Sequence, residues 1–363
     1  MPVLVLQGGG ALGSYQAGVF QGLDEAGFCP QWVAGISIGA INAALIAGNP
    51  PEQRVARLTQ FWERVTSGLP QLLPALPDGW MRSWHEWAAA ATAMFGAPGF
   101  FQPRWPPIMP FERGQVALYD TAPLRATLLE LVDWDRLNNG AVRLSVGAVN
   151  VETGNFRYFD TAHQRLGPEH VMASGALPPG LPPIEIDGCW WWDGGLVSNT
   201  PLDHVLAEER ARDLAIFQVD LFPARGPRPT SIAEAEERVA DIRFSSRTRL
   251  ATDSARARNA ERRAIARLIE HLPPALADSP EARLLHEMAR PNRIAIGQLI
   301  YRDKAWQGTA KGREFSRATM RSHWESGLAD ARTGVARALA TDTDWLAGPL
   351  PEGINSYDLS AKD

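Results

Sequence analysis

Two short apolar runs near the amino terminus each end in a glycine-rich turn and pass at once into a helical stretch. The first is Val3-Leu4-Val5-Leu6, followed by Gly8-Gly9-Gly10-Ala11-Leu12-Gly13 and then by Tyr15, Val19, Phe20 and Leu23 at helical spacing, with Gly27 as a stop. The second is Trp32-Val33-Ala34, then Gly35-Ile36-Ser37-Ile38-Gly39, then a helix over Ile38 to Ala47. Pro50-Pro51 breaks the chain before a third helix outlined by Val55, Leu58, Phe61, Trp62 and Val65. This β-α-β-α order, with glycine at each strand-to-helix turn, predicts a parallel sheet covered by helices on both faces.

Further along, Pro123 to Val132 reads as a helix and Val142 to Val149 as a strand, with Phe156 to Phe159 as its hairpin partner. Val171 to Ala176 makes a short helix. Ile184 to Trp192 reads as a hairpin turning at Asp187-Gly188 and runs straight into Asp193-Gly194-Gly195. Thr200 and Pro201 open another helix, and Leu214 to Val219 is a buried strand. Pro223 to Pro229 reads as a linker. The expected division is therefore 1–222 as one domain, 223–230 as linker, 231–351 as a mainly helical extension and 352–363 as a tail. In the extension, Ser231 and Glu234 form a capping box for a helix carrying nine arginines between Arg238 and Arg267, read as a solvated or salt-bridged face in preference to an anionic-lipid patch. Arg293 to Ile300 is a further strand and Arg313 to Leu339 a further helix.

Residues 68–113 break the rhythm. They hold Leu72, Trp80, Trp84, Trp87, Met94, Phe95, Phe100, Phe101, Trp105 and Phe111 among many prolines, with Trp80, Trp84 and Trp87 on one helical face. An insertion this apolar is either a lid or wall of a binding cleft, with Trp84 and Phe101 as candidate lining residues, or a satellite core.

Composition excludes little. Hydrophobic content of 45% and charged content of 21% suit a soluble globular chain, and a net charge of −5 gives no support to a nucleic-acid partner. Two cysteines, Cys29 and Cys189, make no disulfide framework and match no metal spacing, which favours a reducing compartment. The opening apolar run ends at Gln7 and reads as a strand, not a signal peptide. The uncharged stretch Trp87 to Pro103 falls short of a spanning helix. The expected setting is cytoplasmic, with transient contact at a membrane surface.

The chemistry lies in three turns. Gly35-Ile36-Ser37-Ile38-Gly39 is G-x-S-x-G at a strand-to-helix turn, which lifts a serine hydroxyl clear of the sheet and sets it at a helix N-terminus. Gly8 to Gly13 offers backbone N–H groups without obstructing side chains, suited to a phosphate or a transient oxyanion. A dinucleotide reading of that turn requires an acidic residue at the end of the next strand, where this chain has Gly35-Ile36-Ser37. A serine also needs a base. None of the seven histidines lies in a glycine-flanked loop after a core strand; His204 comes nearest, inside a helix. Asp193 ends an apolar hairpin and precedes two glycines, and Trp190, Trp191 and Trp192 beside it are expected to desolvate the carboxylate and raise its basicity. Taken alone, Asp193-Gly194-Gly195 also fits an ordinary Asp-Gly turn.

Together, Gly8 to Gly13, Gly35 to Gly39 and Asp193-Gly194-Gly195 resemble the three ordered motifs of the patatin-like phospholipase family, over roughly residues 3 to 222. The resemblance implies a three-layer α/β/α fold and hydrolysis of lipid acyl esters by a Ser-Asp dyad through an acyl-enzyme. By position, Ser37 would be the nucleophile and Asp193 the base. The N–H groups of Gly8, Gly9, Gly10 and Ala11 would supply the oxyanion hole, and Gly13, Gly35, Gly39, Gly194 and Gly195 would be motif glycines. No metal or cofactor is required. Leu12 departs from the pattern, since many members carry Arg or Lys there. The region after Ser231 resembles a C-terminal extension of a bacterial subset. Two alternatives stand beside this reading: an esterase acting on soluble or polyester acyl chains, and an inactive lipid- or membrane-binding module. Head group, chain length and oligomeric state are left open by the sequence.

Overall fold

The computed structural model describes residues 1–68, 78–104, 116–208, 212–289, 292–302, 312–340 and 350–360, without the side chains of 78–86, 233, 246–249, 274–275, 288 and 339–340. In chain order the elements are β1 (Pro2–Leu6), α1 (Gly13–Glu25), β2 (Trp32–Gly35), α2 (Ile38–Ala47), α3 (Pro51–Val65), α4 (Asp78–Phe95), β3 (Gln102–Pro103), β4 (Tyr119–Asp120), α5 (Ala122–Leu131), α6 (Trp134–Asn138), β5 (Arg143–Asn150) and β6 (Phe156–Asp160). They continue with α7 (Pro168–Ser174), β7 (Ile184–Ile186), β8 (Cys189–Asp193), α8 (Leu202–Glu208), β9 (Leu214–Asp220), α9 (Ile232–Glu270), α10 (Pro274–Ala277), α11 (Pro280–Met288), β10 (Ile294–Ile300), α12 (Arg317–Ala340) and β11 (Ile354–Asp358).

Among the described residues one sheet dominates, in the order β11-β10-β9-β1-β2-β5-β8-β7, with β6 also on β5. From β11 to β5 every pairing is parallel, while β6, β8 and β7 are antiparallel to their neighbours. The apolar runs read from the sequence are buried because alternate residues serve opposite faces. On β1, Leu4 and Leu6 join Phe20 and Leu23 of α1, Ile41 and Leu45 of α2, and Phe61 and Trp62 of α3. Val3 and Val5 face the other way, onto Leu202 and Val205 of α8 and Ala255 of α9. This is the three-layer α/β/α arrangement, with burial of each large side chain contributing roughly 1.5–3 kcal/mol.

The segment 223–230 carries no helix or strand, yet the chain beyond it completes the same sheet. β10 pairs with β9, and β11 pairs with β10 over Ile294↔Ile354 to Gln298↔Asp358. Residues 352–363, expected as a tail, thus contain the edge strand. The helix α12 lies against α1 backbone to backbone: a Cβ on Gly18 would stand 2.0 Å from the Trp324 carbonyl oxygen, and one on Gly327 2.1 Å from that of Tyr15. Only residues without side chains permit that approach.

Much of the 68–113 insertion lies outside the described residues, including 69–77 and 105–113. What is described has two characters. Ala88, Ala89, Ala91, Ala97 and Phe100 are buried, whereas Trp87, Met94 and Phe95 are exposed, Phe95 by 70%.

Candidate active site

The turn after β2 is strained where the chemistry would need it. Ser37 has φ 56 and ψ −124, a conformation rare for a residue with a side chain, and α2 starts at the next residue. The turn closes because Gly35 and Gly39 are bare: a Cβ on Gly35 would lie 2.2 Å from the Gly39 carbonyl oxygen, and one on Gly39 2.4 Å from that of Leu6. Gly13 is the glycine through which α1 clears Ile38 and Trp62. Ser37 is half-buried, and the N-terminal end of α2 faces it.

Asp193 arrives from the opposite direction. Along β5, Arg143 to Val146 pair with β2, whereas Ala148 to Asn150 pair with Trp191 to Asp193 of β8. Both pairings use the edge of β5 that β6 leaves free, since β6 spans Ser145 to Val149 on the other side. The two strands therefore meet end to end across Gly147, whose carbonyl oxygen would be 2.4 Å from a Cβ on Gly194. The end of α7 holds both sides of this junction. The Ser37 N–H donates to the Ser174 carbonyl at 3.1 Å and to its hydroxyl at 3.1 Å, and the Asp193 N–H donates to the Ala176 carbonyl at 3.0 Å.

Burial pushes the Asp193 carboxyl up to about 6, against the downward pull of hydrogen bonds from the Ser37 hydroxyl and the Gly195 N–H, the latter at 2.7 Å. The carboxylate is 2% exposed. A carboxylate so placed is a stronger base than a solvated one and still ionises near neutral pH. Of the three tryptophans expected to dry it, Trp191 is in the core against Phe159, while Trp190 is 42% exposed. Strand alternation decides this, because Trp191 and Asp193 share a face and Trp190 takes the other.

The glycine turn is narrower in what it offers than its sequence suggests. The Gly8 N–H donates to the Asn199 carbonyl at 3.1 Å, and the Ala11 N–H to the Gly312 carbonyl at 3.0 Å. Both candidates are thereby engaged within the protein. The Gly9 and Gly10 N–H groups meet no acceptor among the described residues, and both glycines are partly accessible while Gly8 is buried. Gly10, at φ +59, occupies the left-handed region. Asn199 clamps the turn from two sides, since its Nδ2 also donates to the Gly8 carbonyl at 2.9 Å. It sits four residues after Gly195 and so joins the aspartate loop to the glycine turn. Gln7 adds a second tie, its Oε1 accepting from the Leu221 and Phe222 N–H groups and its Nε2 donating to Thr200 and the Phe244 carbonyl.

His204 belongs elsewhere. It stacks on Tyr158 at 3.9 Å, touches Trp32 at the start of β2, the opposite end from Ser37, and reaches Asp160 at 3.3 Å. Burial alone would raise the Asp160 carboxyl, but hydrogen bonds from His204, Arg143 and Ser145 hold it far below the usual range. That cluster is a satisfied buried network. Phe101 is half-buried among Phe100, Tyr119 and Phe315. The side chain of Trp84 lies outside the described residues. Among the described residues no three His, Cys, Asp or Glu side chains converge as a metal site would require. Ser174, Ala176 and Asn199 were not singled out from the sequence. Asn199 alone left a trace there, as a polar residue close behind Gly195.

Comparison with known proteins gives the family. The model of the patatin-like phospholipase family matches residues 4–206, and the DUF3734 model, described as patatin phospholipase, matches residues 242–345. Among curated proteins no significant match is found. Among solved structures, VipD from Legionella pneumophila is similar over 90% of this chain and 67% of its own, at 14% identity and a TM-score of 0.34. With the family model spanning more than half of its length, the chain belongs to the patatin-like phospholipases and is a lipid acyl ester hydrolase.

Proposed function

We propose that the chain cleaves lipid acyl esters in the manner of a phospholipase A or lysophospholipase, with Ser37 as nucleophile and Asp193 as base. The observation that carries this reading is the convergence itself: a serine in a strained turn at a helix start, its hydroxyl beside a buried carboxylate pushed up to about 6. Ionised Asp193 accepts the proton as Ser37 Oγ attacks the ester carbonyl. The developing oxyanion lies against the Gly9 and Gly10 N–H groups and the start of α2. Collapse of the tetrahedral intermediate expels the alcohol, which takes the proton from Asp193, and leaves the acyl group on Ser37. Asp193 then deprotonates a water that attacks the acyl carbonyl, and the fatty acid departs as Ser37 recovers its proton from Asp193.

The acyl chain would approach over the apolar surface beside α7. Leu118, whose N–H donates to the Pro179 carbonyl at 3.1 Å, is exposed there, as are Leu177 and, near Tyr119, Met94 and Phe95. Transient contact of this surface with a membrane is part of the proposal; no helix among the described residues is long and apolar enough to cross one. The catalytic unit would include the chain beyond 230, because α12 and the Gly312 carbonyl pack directly on α1 and the glycine turn.

A fluorophosphonate probe tests the dyad together with a hydrolysis profile across short-chain esters and phospholipids. Labelling and turnover that both vanish in Ser37→Ala support it. Failure of the intact chain to label while it still binds vesicles would replace it with a lipid-binding module.

A further inference from the structure

At the opposite end of the parallel strands from Ser37, a cleft of about 260 Å³ opens between α9 and β11. It is lined by Arg256, Asn259, Ala260, Arg263, Arg267 and Ile354. Ile354 is the first residue of β11 and pairs with Ile294, the first of β10, whereas Ser37 follows the last residue of β2. The three arginines stand at i, i+7 and i+11 on α9, which brings all three onto one stripe facing β11.

These guanidinium groups are poorly neutralised for a chain of net charge −5. Arg256 donates to the Ser356 hydroxyl at 2.6 Å and meets Asp253 only at 3.5 Å. Among the described residues neither Arg263 nor Arg267 has a carboxylate partner. Arg263 is held against Gly353, where φ is +83 and a Cβ would run into the guanidinium. Asn259, 4% exposed, lines the same cleft; its Nδ2 donates to the Asn292 carbonyl, and among the described residues its Oδ1 accepts from no group. A solvated arginine face has neither a cavity nor a buried acceptor within it.

We propose that this cleft is a binding site for a phosphate monoester, separate from the hydrolytic centre. A monoanionic phosphate presents oxygens to planar guanidinium forks and keeps one P–OH for an acceptor such as Asn259 Oδ1. A cationic ligand meets three like charges and is disfavoured, and a neutral one gains no charge attraction there. The phosphate group has two possible sources, a soluble phosphate ester or the head group of an anionic lipid such as phosphatidic acid.

The test uses the full chain. Titration calorimetry with inorganic phosphate and with glycerol 3-phosphate is expected to give saturable binding, weakened by about tenfold or more in the double variant Arg263→Gln, Arg267→Gln. Arg258→Gln, on the same helix but off the stripe, should bind as the parent does. Hydrolysis of a short soluble ester should be equal in all three, which separates loss of the site from loss of the fold. Flotation with phosphatidylcholine vesicles, with and without phosphatidic acid, identifies the source. Recruitment by phosphatidic acid that the double variant loses assigns the site to a lipid head group, and soluble binding without recruitment assigns it to a free ester. Absence of saturable phosphate binding, or equal weakening by Arg258→Gln, overturns the proposal.

Discussion

Ser37, two residues beyond the end of β2, and Asp193, the last residue of β8, are carried by strands that advance toward each other along the same edge of β5, so the sheet itself sets how hydroxyl and carboxylate approach. The arrangement needs a break in the edge of β5, which Gly147 supplies, and a common anchor, which the carbonyls of Ser174 and Ala176 supply. If the two act together as proposed, a pair held this way loses little entropy on reaching a reactive geometry.

Replacing either partner should abolish turnover, and replacing the aspartate should also change the stability. Ser37→Ala and Asp193→Asn are each expected to lower kcat/KM for a phospholipid by roughly 1,000-fold or more. The Asp193 carboxyl is raised from 3.8 to about 6 on folding, so its ionised form opposes folding. The native state holds that proton longer than the unfolded chain does. Stability from this group is therefore full below pH 4 and lost as pH rises through about 6. Asp193→Asn should thus stabilise the protein at pH 7.5 by up to about 3 kcal/mol, with the gain vanishing near pH 4. Asp220, also buried and pushed up to about 7, should give the same stability signature in Asp220→Asn with turnover intact. Chemical denaturation across pH measures both. An Asp193→Asn protein that is active, or is no more stable at pH 7.5 than at pH 4 relative to the parent, would contradict this account.

With Asp193 as the proposed base, the same carboxyl is expected to set the acid limb of the activity profile. The base must be ionised to accept the serine proton, so kcat/KM should rise tenfold per pH unit below about 6 and level off above it. Among the described residues no histidine side chain is hydrogen-bonded to Ser37 or Asp193, so no second ascending limb is expected. A profile still rising steeply at pH 8 would indicate a different base.

Much of the frame is readable from the residues and part is not. β1 and β2 are legible because burial on both faces leaves no polar residue in them, and α1 and α2 because apolar residues recur at helical spacing after a glycine turn. The Asp187-Gly188 turn is legible because both residues have positive φ, 52 and 75, which that dipeptide tolerates. β11 is not legible: Ile354-Asn355-Ser356-Tyr357-Asp358 is short, half polar and an edge strand, so only its pairing with β10 defines it. Nor are Ser174 and Ala176, which act on Ser37 and Asp193 mainly through main-chain carbonyls that carry no residue signature. The restriction of free donors in the glycine turn to Gly9 and Gly10 depends on Asn199 and Gly312, and Gly312 lies some 300 positions away.

Asn199 should behave as a positioning residue for that turn. Its side chain donates to the Gly8 carbonyl while its own carbonyl accepts from Gly8, which fixes the direction of the next two N–H groups. Asn199→Ala keeps the main-chain half of the clamp and removes the other. The expected result is a fall in kcat of about 10- to 100-fold with KM little changed, since the donors matter most to the oxyanion. Asn199→Gln, longer by a methylene, should not restore it. A change confined to KM would place Asn199 in ground-state binding instead.

Chain-length selectivity tests what the described part of the insertion does. Phe101 packs against Tyr119 at 4.8 Å and Phe100 at 5.3 Å, so Phe101→Ala costs stability whatever its role, by about 0.5–3 kcal/mol. Stability alone cannot reveal a substrate contact, but a ratio can. If Phe101 lines the acyl path, KM should rise more for long-chain than for short-chain esters, because each methylene that loses its apolar contact forfeits up to about 0.8 kcal/mol. Met94 and Phe95 supply the complementary case. They are exposed by 64% and 70% and pack on little, so replacing both with serine should leave the fold and short-ester hydrolysis unchanged. Their apolar area would matter only at a lipid surface, where the double variant should hydrolyse vesicle phospholipid several-fold more slowly. Equal rates for the double variant and the parent on vesicles would show that these side chains do not meet the membrane. An unaltered KM ratio in Phe101→Ala would place Phe101 in the packing of the insertion alone.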